Sequence, residues 1–351
     1  MGGFLEDYEI HVSKLVVKLW VAEGFLKPSV SKSFEERAEE CLEDLVKRSV
    51  VLVTRRKSDG KIKSCNVHDV VRDLCIRKAR EEKFLLNALD RHVNRFLPKG
   101  IKDQRRLSIP RSNVTLFSYI YSLVIRTAVY FERHRMFSSS FKSFRLLRIL
   151  DALKVTVKEF PAEVLELFHL MYLAFSHRED RLNWEFYCHY NLVHLHQLGK
   201  LKISMGTWYW ETRVPLWEKL AFPMMLKKLT LVGFVLSQQD MATVCSLPNL
   251  HVLKLINCSF GDCNWETSEG EFPQLKFLKI GRTNLKHWVT ESSHFPSLER
   301  LVLHDCDELG EIPDVIGEIP TLELIEVKRW DKSLVDSAKR IKREQEDSGN
   351  D

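Results

Sequence analysis

Apolar positions in the first eighty residues recur at helical spacing twice and then switch to strand character. "VSKLVVKLWVAEG" (12–24) puts Leu15, Val16, Leu19 and Trp20 on one helical face, with Ser13 as its N-cap and Gly24 as its stop. "SFEERAEECLEDLVKR" (33–48) repeats the pattern: Ala38, Cys41, Leu42 and Leu45 form the apolar stripe, and Ser33 with Glu36 forms a capping box. "SVVLVTRR" (49–56) and "KIKSCNV" (61–67) then read as strands joined through "KSDG", whose Asp59-Gly60 pair favours a hairpin. Two helices and a hairpin predict a winged helix-turn-helix. "NVHDVVRDLC" (66–75) opens a further helix: Asn66 is its expected N-cap, Asp69 sets a carboxylate against its positive end, and Val71, Leu74 and Cys75 are expected to face a core.

From about residue 104 the period lengthens. "LHVLKLINCSF" (250–260) and "LERLVLHDCDEL" (298–309) share L-x-x-L-x-L-x-x-C, the leucine-rich-repeat signature. Register-matched copies start at Leu147, Leu170, Leu198, Leu226, Leu250, Leu275, Leu298 and Leu322, spaced by 23 to 28 residues. "RRLSI" (105–109) and "YSLVI" (121–125) read as degenerate leading strands. The fold class expected is therefore an α+β winged-helix domain followed by an α/β leucine-rich-repeat solenoid, a parallel β-sheet horseshoe. The expected division is 1–83 winged helix, 84–103 linker within a basic helical stretch near 70–100, 104–330 solenoid, and 331–351 a basic/acidic tail. In each repeat the second and third apolar positions point inward. Cys258 and Cys306 occupy the turn slot where Asn or Cys satisfies backbone.

The residue between those two inward positions belongs to the concave face. It is Lys202, Thr230, Lys254, Lys279, Val302 and Glu326 in successive repeats, with Lys200, Lys228 and Arg300 flanking. One reading is ordinary solvated lysine; the other is an electropositive trough for an acidic protein surface, with Lys202, Lys254 and Lys279 as partner-binding residues. A second candidate surface is the tryptophan-rich stretch where two repeats lengthen: four of the eight tryptophans lie between 184 and 217, and Trp208 and Trp210 are the candidate anchors. The alternative there is an aromatic cover on the convex side.

Charge sharpens the choice of partner. The chain carries +5 overall, but residues 47–112 hold 19 Lys or Arg against 7 Asp or Glu. A DNA-reading winged helix fails a charge test, because the expected second helix carries Glu35, Glu36, Glu39, Glu40, Glu43 and Asp44 against Arg37, Lys47 and Arg48. Such a helix cannot neutralise phosphates in a groove. No nucleic acid partner is expected.

At 351 residues, 44% hydrophobic and 29% charged, the composition is that of a globular chain. "MGGFLEDYEI" is not a signal peptide, and Glu6 stands where a myristoylation signal has Ser or Thr. "TLFSYIYSLVIRTAVYF" (115–131) carries Arg126 and is too short for a membrane span. The eight cysteines form no CxxC pair and are expected to be reduced and mostly buried, and no metal site is expected, His189 and His194 near Cys188 included.

"FLEDYEIHVSKLVVKLWVAEGFLKP" (4–28) resembles the opening of the winged-helix region in plant nucleotide-binding leucine-rich-repeat disease resistance proteins, which usually read F-P-E-D where Leu5 replaces Pro here. "VHD" (67–69) is similar to their M-H-D motif, with Val67 for Met, and "SLVDSAKRIKREQEDSGN" (333–350) is similar to the tail of the late blight resistance protein group. The likeness covers nearly the whole chain. It implies that His68 contacts the phosphates of ADP in the resting state of an intact receptor, with Asp69 orienting it and capping the helix. ADP or ATP would be the cofactor of that intact receptor. No G-x-x-x-x-G-K-[ST] occurs in this sequence, so no cofactor is expected in this chain, which resembles the C-terminal part of a receptor. The resemblance further implies a non-enzymatic, cytoplasmic module, with peripheral membrane or nuclear location left open. Its partners would be a pathogen effector or guarded host protein, and an upstream nucleotide-binding domain. The alternatives are a winged-helix nucleic-acid-binding regulator and a truncated decoy or adaptor form.

Overall fold

A computed structural model describes residues 9–12, 20, 25–26, 32, 34–56, 60–82, 86–87, 106–109, 124–130, 134–135, 144–157, 161–177, 191–205, 214–215, 221–328 and 332–347. The chain divides into two compact units, 1–156 with 161–173, and 157–160 with 174–351. Within the first, β1 (Ile10–His11), helix α1 (Phe34–Lys47), β2 (Val51–Arg56), β3 (Ile62–Val67) and helix α2 (Asp69–Glu81) follow in order. β2 and β3 form the expected antiparallel hairpin, with Gly60 at φ +77° turning it, and β1 adds a third strand on β3 that the sequence pattern did not signal. Ala38 and Leu42 of α1 lie against Ile10, Val12, Leu26, Val51, Ile62 and Cys65, all buried. Cys41, expected in that stripe, is exposed, because Ala38 and Leu42 already fill the contact line and Cys41 lies beside it. The helix expected over 12–24 and the capping serine Ser33 lie outside the described residues except for Val12 and Trp20.

Two of the wing's cations turn toward α1, and a third turns toward Glu9 beside β1. Lys61 pairs with Glu39 at 2.9 Å, Arg56 with Glu43 at 3.5 Å, and Arg55 with Glu9 at 3.2 Å. These exposed pairs contribute little individually. They bring the basic hairpin and the acidic helix into mutual neutralisation.

After α2, β4 (Leu86–Asn87), β5 (Arg106–Ile109), β6 (Thr127–Tyr130) and β8 (Ile149–Val157) run parallel, with β7 (His134–Arg135) beside β8. The helix ends at Glu81 and Leu86–Asn87 already joins the ladder, so that stretch is only partly helical. Of the strand expected at 121–125, residues 121–123 lie outside the described residues and 124–125 are not in a strand; the described strand is Thr127–Tyr130. Ala128 stands opposite Leu150, which aligns buried Ile125 with Leu147 and makes the degenerate repeat I-x-x-A-x-Y. Val129 joins the hydrophobic cluster of the winged helix, and the Arg106 guanidinium lies 4.7 Å from the Phe25 ring centroid. The first strands of the ladder therefore share a core with the winged helix.

β9 (Tyr172–His177) carries the chain into the second unit. There β10 (Lys200–Met205), β12 (Lys228–Val232), β14 (Val252–Ile256), β17 (Phe277–Gly281), β19 (Arg300–His304) and β20 (Leu324–Lys328) pair in parallel in that order. The register matches the leucine spacing: Leu201, Leu229, Leu253, Leu278 and Leu301 are partners in turn and all buried. Inward alternation is the reason, since a strand exposes every second side chain to each face. Asn257, Arg282 and Asp305, each the residue after a strand, take φ of 54° to 56° in one recurring turn. The Cys258 thiol then donates to the carbonyl of Leu231, and that of Cys306 to the carbonyl of Ile280, each at 3.6 Å and each in the preceding repeat. Burial pushes the Cys306 thiol up to about 11, which keeps it a donor.

Behind the ladder run β11 (Val214–Pro215), β13 (Phe234–Leu236), helix α3 (Gln238–Cys245), β15 (Ser259–Phe260), β16 (Asn264–Glu266) and β18 (His287–Val289). β16 and β18 pair Trp265 with Trp288, whose rings stack at 5.3 Å and 8°. Phe272 and Phe295 stack at 5.0 Å and meet Trp265 edge-on. Beside them Thr267 bonds Thr290 at 2.6 Å and the His294 Nδ1 at 2.8 Å. Helix α4 (Lys332–Asp347) closes the last repeat, in the segment read from sequence as a tail. It buries Leu334, Ser337 and Ile341, ties Arg340 to Asp314 and Glu311, and lies so close that a Cβ at Gly317 would stand 2.7 Å from Ile341.

Two outcomes follow from this packing. Trp265→Ala should cost about 3–5 kcal/mol, read as a lowered urea midpoint, because the stack cannot collapse around the void; a loss below about 1 kcal/mol would contradict the ladder. His304, ending β19, sits 3.1 Å from Asp305. Burial holds its imidazole below the usual 6.5; Asp305 opposes that, and Lys279, Arg282 and Lys328 reinforce it. The unfolded chain then takes up this proton first, so stability should decline as pH falls below 6.5 and level off below the folded value. Denaturation midpoints between pH 7.5 and 5 should show that slope, and His304→Gln should flatten it.

Candidate functional site

The turn between hairpin and α2 carries the first candidates. The β2–β3 register pairs Val51 with Val67, so Asn66 is held inside the strand opposite Leu52 and cannot cap the helix. The cap is His68, whose carbonyl accepts from the Arg72 amide at 2.8 Å. Asp69 is the first helical residue, and its charge still meets the positive helix end. Both side chains are exposed. Of the face expected to seek a core, Val71 is half-buried while Leu74 is 48% exposed and Cys75 is exposed as well; Val70 beside them is 72% exposed. Among the described residues, the cluster beneath is built by Ile10, Val12 and Leu26 with α1, the hairpin and Val129, and no residue of α2 is in it. An imidazole at this position can meet a phosphate oxygen, and the adjoining apolar face can meet another polypeptide. Among the described residues no group of three His, Cys, Asp or Glu could hold a metal, and no helix is long and apolar enough to cross a membrane.

The second candidate is the open face of the ladder in the second unit. Lys202, Thr230, Lys254, Lys279, Val302 and Glu326 follow one another in register across six strands, as their spacing predicts. Neighbouring rungs lie about 4.8 Å apart. Five of these side chains are half-exposed, whereas Val302 is only 3% exposed, so the row is interrupted by an apolar rung before Glu326. The next row outward reads Lys200, Lys228, Val252, Phe277, Arg300 and Leu324. Phe277 ties the rows together. The Lys254 ammonium lies 5.0 Å and the Arg300 guanidinium 6.0 Å from its ring centroid, geometry that fixes both cations over an aromatic face. The face is graded: Lys227 and Lys276 at one margin give way to Glu299 and Glu323, with Lys276 and Glu299 ion-paired at the change of sign.

The structure thus brings Lys202, Lys254 and Lys279 onto one row. Trp208 and Trp210 lie outside the described residues. Two exposed apolar residues at the margin of this face, Met224 at 60% and Met225 at 51%, were not anticipated. The signal was present in the repeat alignment, in a turn position that is polar in the neighbouring repeats.

Residues 4–75 match the family described as disease resistance protein winged helix domain. The chain is 33% identical to the putative late blight resistance protein homolog R1B-11 of Solanum demissum, over 98% of this chain and 30% of that protein. It is 30% identical to another late blight resistance protein homolog of the same species, over all of this chain and 59% of that protein. The chain therefore spans roughly a third to three-fifths of the length of these curated relatives. Among solved structures it is similar to an internalin (inlF) of Listeria monocytogenes, with a TM-score of 0.34 and 13% identity over 68% of this chain and 86% of that one. That likeness is too slight to bear on the fold, which rests on the register above. Disease resistance winged helix and repeats together are thus related, along almost the entire chain, to one group of proteins, the late blight resistance protein homologs.

Proposed function

We propose that this chain is the recognition and regulatory part of an intracellular plant immune receptor. Its solenoid engages a protein, a pathogen effector or a guarded host protein, and restrains a nucleotide switch in the defence response. The observation that carries the reading is the relation to late blight resistance protein homologs across both the winged helix and the repeats. The switch would act through His68 when a nucleotide-binding domain lies against the exposed turn. An imidazole beside a phosphate oxygen gains a charge-assisted hydrogen bond, and loss or exchange of the phosphate biases the domain arrangement. The exposed Val70 and Leu74 next to His68 suit such a contact. A nucleic-acid role is disfavoured by the pairing of the wing's cations with α1's carboxylates.

Asp69→Val removes a carboxylate from an exposed helix end and should cost this chain about 0.5 kcal/mol. In a longer protein with the nucleotide-binding domain the same change should favour the active state, read as defence signalling without a pathogen. Unchanged signalling there would reduce His68 and Asp69 to a helix cap.

The Lys202→Glu, Lys254→Glu, Lys279→Glu triple should keep the thermal transition within a few degrees; what it gives up includes the cation–π contact of Lys254, worth about 0.5–1 kcal/mol. Association with an acidic partner should slow, and wild-type binding should weaken as salt rises. A partner that binds both proteins equally at low salt would return the lysine row to solvated surface.

A further inference from the structure

The six repeats from Leu198 to Leu322 contain an internal control. In each, the first leucine's amide donates to the carbonyl three residues earlier, at Leu195, Pro223, Leu247, Phe272, Phe295 and Ile319. Two turn residues are enclosed each time: His196-Gln197, Met224-Met225, Pro248-Asn249, Pro273-Gln274, Pro296-Ser297 and Pro320-Thr321. The second of the pair usually stitches adjacent repeats together. The Asn249 amide donates to the carbonyl of Met224 at 2.9 Å, Gln274 bonds His251 at 3.0 Å, Ser297 donates to the carbonyl of Pro273 at 3.2 Å, and Thr321 donates to the carbonyl of Leu298 at 2.9 Å.

Met225 cannot make that bond. Its repeat gives up an inter-repeat hydrogen bond and in exchange presents two long apolar side chains, both more than half exposed, on a turn whose backbone is pinned by Asn249. Among the described residues, nothing in the packing of the second unit is served by this. Methionine's flexible, polarisable side chain suits a surface that accommodates another polypeptide.

What lies beside the pair narrows the partner. Lys227 and Lys228 follow Met225 within three residues, about 10 Å of extended chain. Lys228 stands opposite Lys200, and Lys202 and Lys254 flank Thr230 on the next row inward. Among the described residues of the second unit, the sign at the margin of the face reverses at Glu299. We infer that Met224 and Met225 are the apolar anchor of a docking surface for an acidic, amphipathic polypeptide segment, whose carboxylates lie over the lysine rows and whose large apolar side chains cover the methionine pair. This rests on the partner-binding role proposed for the solenoid and adds the chemistry of what it takes: charge sets the approach, and the methionines select segments with a hydrophobic face.

The test uses the full chain and two labelled synthetic helical peptides, one with glutamates on one face and leucine and phenylalanine on the other, the second with every leucine and phenylalanine replaced by serine. Binding is read by fluorescence anisotropy at low and physiological salt. The wild type should bind the amphipathic peptide about tenfold more tightly than the serine peptide. Met224→Gln with Met225→Asn, which imports side chains of the neighbouring turns, should erase that difference and leave the serine peptide's affinity unchanged. Lys202→Glu with Lys254→Glu should weaken both peptides. Thermal unfolding of each variant verifies the fold. An amphipathic peptide that binds the methionine variant as well as the wild type, while the lysine variant loses both, would overturn the anchor and leave the acidic-partner reading standing. Absence of binding by either peptide, or indifference of both to the lysine variant, would overturn the two together.

Discussion

The register of the parallel ladder is the constraint on which the second unit depends. Leu201, Leu229, Leu253, Leu278 and Leu301 are dry only because each stands opposite the next, and a slip of one residue would turn every leucine outward and every lysine inward. The recurring turn after each strand, with its positive φ at Asn257, Arg282 and Asp305, enforces that register from outside the sheet. The thiols of Cys258 and Cys306 enforce it from within, each holding a carbonyl of the repeat before it. The arrangement of surface charge is therefore a by-product of core packing. Lys202, Lys254 and Lys279 share a row because the leucines on either side of them share a core.

The first unit solves a different problem. Among the described residues, a three-stranded sheet and the amphipathic α1 make a small core, and Val129 of the ladder joins it. Winged helix and leading repeats are thus mechanically continuous, a useful property where a surface turn must respond to events elsewhere in the chain. The wing, basic in sequence, is answered by Glu39 and Glu43 of α1, so the charge that would suggest phosphate binding is largely compensated within the fold.

What was legible in the sequence was whatever has a period. Hairpin, α1, the rungs and their order, and the role of Cys258 and Cys306 all follow from spacing and side-chain chemistry. Local competition hid the rest. Asn66 reads as a cap, yet the strand extends through Val67 and hands the cap to His68, a choice decided by pairing with β2 rather than by propensity. Leu74 and Cys75 have helical core spacing, but a stripe does not say whether its core lies within the same chain. Trp265 and Trp288 sit 23 residues apart between signature leucines, at positions the leucine pattern leaves unspecified, so their stack has no mark in that pattern. Met224 and Met225 look like hydrophobic residues destined for burial until the equivalent turns are aligned.

Helix α4 has a consequence of its own. A stack in which each layer touches only its neighbours can lengthen or shorten by whole layers without disturbing the remainder, but its final layer must match whatever covers it. The contact of Gly317 with Ile341 and the grip of Arg340 on Asp314 and Glu311 tie the cover to the sequence of one particular layer. Genetic exchange among related chains can therefore add or remove interior layers wherever neighbours still match, whereas the last layer and its helix must travel as a single inherited block.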